Sequence, residues 1–278
     1  MNAMIELINI SKHYSNKKVL TSINLSIYKG ETLMLLGANG SGKSTLIKLI
    51  GDFIHPTSGL RKVNELQPLI SYMPDRFPKH KFNSEEYLTH MGSIQGIKKA
   101  ELNHRIKELH ALFHLQITDQ PIQYFSKGML QKVNMMQAML SKPDLLLLDE
   151  PFSGLDVSAK LVMVNALHDL KRQGVTIVIS THELAMLQKI ADRVITVREA
   201  SLFEEEERQF YSEESVLITC RYPESDISDT FLSQPGIISH STDNDLTHLY
   251  VREDCCDHLL LELLQAGGSI IEVVRKGA

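Results

Sequence analysis

The chain has 278 residues, a net charge of −5 and three cysteines. This length suits one large domain, or a large domain joined to a small one. No apolar run is long enough to cross a bilayer, and the first residues do not resemble a signal peptide, so we expect a cytoplasmic protein. The cysteines lack CxxC spacing, which favours reduced thiols over a disulfide or a metal site.

The charge is distributed unevenly along the chain. From residue 200 onward there are 16 acidic and five basic residues, whereas the preceding part is mildly basic. Such asymmetry indicates a domain boundary. The acidic C-terminal part also disfavours nucleic acid as a partner, and we expect none.

The predicted elements begin with two strands. Residues 4–10 and 19–27 carry apolar side chains in partial alternation, and residues 16–18 between them favour a tight turn. The pattern therefore predicts a β-hairpin near the N-terminus.

The most specific motif follows the next strand. Residues 32–36 predict a buried strand, and residues 37–45, Gly-Ala-Asn-Gly-Ser-Gly-Lys-Ser-Thr, match the phosphate-loop pattern and lead into a predicted helix. Glycines allow successive N–H groups to face phosphate oxygens, and the helix dipole favours the anion. Lys43 can reach the β- and γ-phosphates, and the Ser44 hydroxyl can bind Mg²⁺. The loop predicts a nucleotide site without specifying its use.

A helical insert interrupts the predicted α/β pattern. Residues 69–73 predict a short strand, and periodic apolar positions then favour helices over residues from about 77 to 141. Within the insert, His110 and His114 are four residues apart and could bind a metal. Because no third ligand is evident, a solvated helix face is the favoured interpretation.

Acidic and imidazole side chains follow the next two predicted strands. Four leucines precede Asp149, which suits a Mg²⁺ contact, and Glu150, which can polarise an attacking water. Turn capping is the alternative, but the leucines and the following proline disfavour it. His182 follows the strand over residues 175–180, at the sheet edge where open α/β sheets bind ligands. A lone histidine is usually structural, but this position favours a γ-phosphate contact.

The acidic part of the chain predicts a linker and a small accessory domain. Four consecutive glutamates begin a predicted linker over residues 204–214. Residues 215–278 show the order strand-helix-strand-strand-helix-strand, which is that of a ferredoxin-like α+β unit.

Over residues 1 to about 200 the chain resembles the ATP-binding cassette (ABC) ATPase family. The motifs that carry the resemblance, in family order, are the phosphate loop, the signature-like Phe-Ser-Lys-Gly-Met of residues 125–129, the strand ending at Glu150, the Ser-Gly-Leu-Asp of residues 153–156, and His182. The resemblance implies an α/β P-loop NTPase core over residues 1–203, with an antiparallel β subdomain and a helical subdomain. It also implies a head-to-tail dimer, of this chain or with a homologous subunit, that holds two ATP molecules at its interface.

The resemblance further implies roles for individual residues. Tyr14 matches the aromatic side chain that stacks on adenine, a surface tyrosine being the alternative. Ser126 and Gly128 match the signature contacts to the γ-phosphate of the partner's ATP. Asp149 matches the Mg²⁺-site acid, and Glu150 matches the general base. Asp156 matches the acid of the dimer-communication loop, and His182 matches the switch histidine. The phosphate-loop contacts are implied for Gly37, Asn39, Gly40, Gly42, Lys43, Ser44 and Thr45.

Two positions depart from the family pattern. Asp75 replaces the glutamine that usually follows Tyr-x-Pro, which keeps an oxygen ligand for Mg²⁺ or water on a shorter, charged arm. In the signature, Lys127 replaces a glycine and Met129 a glutamine. Lys127 either adds positive charge near the phosphate or lies in solvent. Because Glu150 and His182 remain, active hydrolysis is expected.

The function that the resemblance implies is ATP-driven transport through a separate membrane permease. The chain would lie at the inner face of the membrane, and the helical insert with the loop near residues 76–82 would receive the permease's cytoplasmic helices. The signature, Asp75 and the C-terminal unit look most like ATPases of multidrug and antibiotic-type exporters. The alternatives are an importer ATPase, or a soluble cassette that acts in DNA repair or on ribosomes. The C-terminal unit could also be a ligand sensor or a dimerisation module.

Overall fold

A computed structural model describes residues 3–15, 17–64, 67–181, 187, 190–204, 215–221, 236–243, 246–265 and 267–275. The chain divides into two compact units, Met1–Glu205 and Glu206–Ala278. Within these described ranges, no helix combines the length and the apolar character needed to span a membrane.

The first unit contains a three-stranded and a six-stranded sheet. Its strands are β1 Ala3–Tyr14, β2 Lys17–Tyr28, β3 Thr32–Leu36, β4 Ser58–Val63, β5 Ile70–Met73, β6 Leu145–Asp149, β7 Thr176–Ser180, β8 Arg193–Arg198 and β9 Ser201–Glu204. The small sheet has the antiparallel order β2-β1-β4. The large sheet has the order β5-β6-β7-β3-β8-β9 and is parallel except for the pair β8–β9. The predicted hairpin and α/β core are thus confirmed, and the strands of the large sheet are mostly parallel.

The helices of the first unit pack on both sides of the large sheet. They are α1 Lys43–Ile50, α2 Ser84–Ile94, α3 Lys99–Leu112, α4 Lys127–Ala138 and α5 Val157–Arg172. Because strand side chains alternate, the leucine run of β6 serves two cores. Leu145 and Leu147 join the core with α1 and the small sheet, whereas Leu146 and Leu148 join the core with α2 to α5.

The histidines of α3 differ from the sequence-based expectation. His110 is 4% exposed, and its ring nitrogens lie 2.9 Å from Ser84 Oγ and 2.8 Å from the Ile106 carbonyl oxygen. The predicted solvated face is therefore wrong for His110, because these partners satisfy the ring inside the core. His114 lies beyond the end of α3 and is exposed. Among the described residues, no group of three or more potential ligand side chains could hold a metal ion.

A buried ion pair joins the start of β3 to the last two strands of the sheet. Glu31 accepts a hydrogen bond from the Tyr28 N–H at 2.6 Å and lies 3.1 Å from Arg193 Nη1. Burial raises the pKa of the Glu31 carboxyl, against the opposing effect of these two partners. Arg193 also contacts Glu204 at 2.7 Å, so Glu204 ends β9 rather than beginning the predicted linker.

The second unit contains a four-stranded antiparallel sheet and one described helix. Its elements are β10 Ser215–Arg221, β11 Ile237–Asp243, β12 Leu246–Arg252, α6 Glu253–Gln265 and β13 Ser269–Arg275, with the strand order β11-β12-β10-β13. The helix α6 packs Cys256, Leu259 and Leu263 against strand side chains such as Ile218 and Leu249. The other predicted helix, over residues 226–232, lies outside the described residues, so the ferredoxin-like assignment stays a prediction.

Candidate functional site

The loop between β3 and α1 has the backbone shape that its sequence predicts. Gly37, Gly40 and Gly42 have φ angles of 141°, 78° and 115°, in the region that favours glycine. A Cβ atom at Gly37 would collide with the carbonyl oxygen of Val197. The Ser41 hydroxyl is buried and has no hydrogen-bond partner in the described part of the chain. A glycine cradle with an unsatisfied buried hydroxyl, at the start of a helix, suits a bound anion.

Lys43 begins α1 and its side chain turns back over the loop. The ammonium donates to the carbonyl oxygens of Gly37 at 2.6 Å and Ala38 at 3.3 Å. It also lies 3.5 Å from Glu150 Oε1. The structure therefore brings the predicted phosphate-binding lysine and the predicted general base together. Asn39 and Gly40 are exposed in the loop, and Ser44 and Thr45 occupy the first turn of α1.

Strand pairing gathers the predicted acidic residues at one sheet edge. Met73 pairs with Leu148, and Asp149 pairs with Ser180, which also pairs with Leu35 at the end of β3. Because these strands are parallel neighbours, their carboxyl ends meet beside the phosphate loop. The carboxyl-end side chains and the loop thus form one candidate site.

Ser180 contacts both acids at the carboxyl end of β6. Its hydroxyl donates to Asp149 Oδ1 at 2.7 Å and accepts from the Glu150 N–H at 3.0 Å. Asp149 is 2% exposed, so this contact fixes a carboxylate in the interior. Sequence reasoning treated Ser180 only as part of a strand. A hydroxyl at the carboxyl end of an otherwise apolar strand was the available signal.

Glu150 has a left-handed backbone with φ of 50°. Its N–H donates to the Ser180 carbonyl oxygen at 3.1 Å as well as to the hydroxyl. Its carbonyl oxygen accepts from Gln131 Nε2 at 3.0 Å. A non-glycine residue in this conformation carries strain of about 1 kcal/mol or more, which surrounding contacts must offset.

Asp75 follows β5 on an exposed loop. Asn134 of α4 donates to the carbonyl oxygen of the preceding Pro74 at 2.7 Å. Burial, reinforced by the negative charges of Asp149 and Asp75, raises the pKa of Tyr72 to about 12. Asp75 thus lies near the same edge as Asp149.

The signature-like residues lie at the start of α4, as predicted. Ser126 is the N-terminal cap of this helix and accepts from the Met129 N–H at 3.2 Å. Lys127 is exposed, and its ammonium donates to Ser153 Oγ at 2.8 Å. A Cβ atom at Gly128 would lie 3.5 Å from the Gly154 carbonyl oxygen. The described contacts therefore join this end of α4 to residues 153–154.

Asp156 caps the next helix. Its Oδ1 accepts from the Ala159 N–H at 2.8 Å and from Ser158 Oγ at 2.9 Å. These hydrogen bonds hold the pKa of the Asp156 carboxyl below its usual value. The cap begins α5, and the communication role that the family resemblance implies for Asp156 stays a prediction.

Tyr14 lies at the end of β1 and is 49% exposed. The Lys12 ammonium lies 5.1 Å from the ring centroid. The same hairpin approaches the phosphate loop, since a Cβ atom at Gly42 would lie 3.1 Å from the Val19 carbonyl oxygen. An exposed ring on this hairpin is available for stacking. The predicted switch residue His182 lies outside the described residues.

The comparisons with known proteins agree on a single family. The family model described as ABC transporter matches residues 20–153. An uncharacterised ABC transporter ATP-binding protein of Methanocaldococcus jannaschii is 34% identical over 202 residues, covering 71% of this chain and 75% of that protein. The zinc import ATP-binding protein ZnuC of Yersinia enterocolitica is 32% identical over 200 residues, covering 72% and 78%. A solved dimeric ATP-binding cassette bound to ADP and phosphate matches with a TM-score of 0.66 and 24% identity, over 74% of this chain and 100% of that one.

The sequence relatives and the fold lead to the same assignment. More than 30% identity extends over about three quarters of each of these relatives, and the solved cassette has the same fold. The glycine cradle, Lys43 and the two acids at the end of β6 occupy one sheet edge. The chain therefore belongs to the ATP-binding cassette family, as an ATPase subunit of an ABC transporter.

Proposed function

We propose that this chain hydrolyses ATP with Mg²⁺ at the interface of a head-to-tail pair of cassettes, and thereby drives export through a separate permease. The observation that carries the proposal is the position of Glu150. Its carboxylate lies 3.5 Å from the Lys43 ammonium, and its N–H and carbonyl are held by Ser180 and Gln131. A carboxylate fixed beside the phosphate-binding lysine is placed to polarise a water that attacks the γ-phosphate.

The residues of the sheet edge fit Mg²⁺ and a triphosphate. The glycine loop and Lys43 would bind the phosphates. Oxygen ligands suited to Mg²⁺ come from the Ser44 hydroxyl and from the carboxylates of Asp149 and Asp75. Asp149, which Ser180 holds in the interior, needs a cationic or hydrogen-bonding neighbour for its remaining oxygen. When bound, Mg²⁺ would supply positive charge to the phosphate oxygens.

The head-to-tail arrangement rests on the position of Ser126 and Gly128. The described contacts join the start of α4 to residues 153–154 and not to the phosphate loop of the same chain. The start of a helix favours an anion, so a second cassette can supply the γ-phosphate. The dimeric solved cassette with ADP and phosphate supports the pairing of two cassettes, without specifying their orientation. In the completed site, Tyr14 would stack on adenine and His182 would contact the γ-phosphate.

A groove beside the helical insert supports docking of a permease. The groove has a volume of about 520 Å³, and its lining includes Phe53, Leu69, Tyr72 and Ile97. Phe53 and Leu69 are about half exposed, although both are large and apolar. Such side chains are suited to bind an apolar helix of a partner. Docking there would place the chain at the inner face of the membrane.

Export is proposed over import because of the departures from the family pattern. The Ser-Lys-Gly-Met signature, Asp75 and the C-terminal unit favour an exporter, whereas a zinc import relative at 32% identity favours import as the second candidate. Inverted membrane vesicles that contain the chain with its permease distinguish the two. ATP-dependent accumulation of substrate inside inverted vesicles indicates export, and its ATP-dependent depletion indicates import. A chain with full ATPase activity and no permease would instead indicate a soluble cassette.

The variant Glu150→Gln tests the catalytic assignment. We expect it to bind ATP and to form the dimer, while kcat falls by about 10²-fold or more because the base is lost. ATP binding is measured by nucleotide fluorescence, dimer formation by light scattering and kcat by phosphate release. Glu272→Gln, on the exposed strand β13, is the matched control and should retain the original rate. An unchanged rate in Glu150→Gln would show that another group is the base.

A further inference from the structure

We infer that α4 fixes the two acidic loops of the site through two buried amides, Gln131 and Asn134, which act as positioning residues. The inference rests on the proposed function, because it takes Glu150 as the general base. Both side chains extend from one helix to the backbone of different loops. Neither belongs to the phosphate loop or to the signature residues.

Gln131 holds one side of the Glu150 backbone. It is 3% exposed and donates from Nε2 to the Glu150 carbonyl oxygen at 3.0 Å. On the other side of the residue, the Glu150 N–H is bound to Ser180. Since the φ of 50° is unfavourable for glutamate, loss of either contact allows the backbone to relax toward the ordinary regions. Such relaxation would turn the carboxylate away from Lys43.

Asn134 holds the loop that carries Asp75. It is fully buried, and its Nδ2 donates to the Pro74 carbonyl oxygen at 2.7 Å. Its Oδ1 is buried and has no hydrogen-bond partner within the described ranges. A half-satisfied amide destabilises a core in which an apolar side chain would fit, so stability alone does not explain an asparagine here. The hydrogen bond of its Nδ2 to the residue before Asp75 explains the asparagine.

The two amides share one face of α4. Residues three apart on a helix are neighbours. They follow Ser126 by five and eight residues, about 8 and 12 Å along the helix axis. A shift of α4 therefore moves the Glu150 peptide and the Pro74 peptide together. Engagement of Ser126 by the partner's ATP would be transmitted to both acids in a single movement.

Two substitutions on the full chain test this role. Gln131→Met keeps the side-chain length and removes the donor, and we expect kcat to fall about tenfold or more with KM for ATP unchanged within twofold. Asn134→Leu should lower kcat several-fold while the melting temperature stays equal or rises, since the unsatisfied Oδ1 is removed. The control Gln137→Met lies on the same helix, where its amide contacts Tyr87 of α2, and should leave both kinetic constants unchanged. Unchanged kcat in Gln131→Met, or a fall in kcat matched by a fall in melting temperature, would overturn the inference.

A double-mutant cycle separates this inference from the proposed function. If Gln131 acts through Glu150, Gln131→Met causes no further loss of kcat in the Glu150→Gln background. An equal fold-loss in both backgrounds would overturn the positioning role while leaving the general base in place. An undiminished rate in Glu150→Gln alone would show that Glu150 is not the general base. The inference would then fail because its premise is wrong.

Discussion

Lys127 shows how a single side chain can depart from a family pattern and still have a defined partner. Its ammonium donates to Ser153, and its aliphatic stem covers Gly154, where a Cβ atom would collide with it. The left-handed φ of 77° at Gly154 also favours glycine. Lys127 therefore links the signature segment to residues 153–156 within one chain.

Removal of this link should weaken catalysis. We expect Lys127→Met to lower kcat by about two- to tenfold, because a neutral side chain leaves the 153–156 segment without its hydrogen bond. Lys127→Arg should retain most of the rate, since a guanidinium can still donate to Ser153. Phosphate release in the steady state measures these effects, with Lys107→Met on the exposed face of α3 as the control.

The double variant with Ser153→Ala identifies the mechanism. If the two side chains act through their mutual hydrogen bond, the double variant loses no more than either single variant. Additive losses would mean that Lys127 acts on another partner.

At the residue scale, sequence motifs predicted the residues whose side-chain type and spacing already indicate a chemical role. Lys43 and Glu150 were assigned from residue type and spacing, and the structure brings them together. Ser180, Gln131 and Asn134 escaped prediction, because their importance depends on which loop each side chain reaches after the sheet and helices have packed. A serine in a strand carries no such information until its pairing with Asp149 is known.

At the scale of single elements, α3 carries a buried histidine that should make stability depend on pH. Burial lowers the pKa of His110 below its ordinary value of about 6.5, against smaller opposing effects from the Ile106 carbonyl and Glu85. The unfolded chain therefore binds a proton at a pH where the folded chain does not. Stability contributed by the neutral ring is complete above about pH 6.5 and is lost as the pH falls below it.

Thermal unfolding measures this effect. We expect the melting temperature to fall on acidification from pH 8 to pH 5, and the fall to be smaller in His110→Gln. His104→Gln provides the control, because His104 is highly exposed on the same helix. Equal pH dependence in the original chain and His110→Gln would show that other groups determine it.

At the element scale, apolar periodicity predicted the buried strands and missed two edge strands, β4 and β9. The leucine run predicted β6. Strand β4 was not predicted, because its sequence Ser-Gly-Leu-Arg-Lys-Val is largely exposed and is held mainly by pairing with β1. Strand β9 is also held mainly by pairing, in this case antiparallel pairing with β8. Pairing of this kind leaves little trace in hydrophobicity.

At the scale of the whole molecule, the two units have separate hydrophobic cores. Two clusters of buried side chains lie in the first unit and one in the second. Every described residue assigned to nucleotide or Mg²⁺ belongs to the first unit. The nucleotide site should therefore be retained without the second unit.

Deletion of residues 208–278 tests this expectation. We expect the affinity for ATP to remain within about twofold of that of the full chain, because no assigned ligand is removed. Nucleotide binding, light scattering and phosphate release should be measured together. A dimerisation role for the second unit would lower the dimer fraction, and a regulatory role would change kcat alone. Loss of ATP binding in a folded truncated chain would contradict the expectation.

The approach of Lys43 to Glu150 has a consequence for affinity as well as for rate. One ammonium is shared between the loop carbonyls and the carboxylate, so an incoming triphosphate competes with Glu150 for it. Under the proposed function, the same carboxylate weakens the ground-state complex and assists the reaction, which favours turnover over tight binding. Replacement of Glu150 by glutamine removes the competitor. The slow variant should thus also hold ATP more tightly than the original chain.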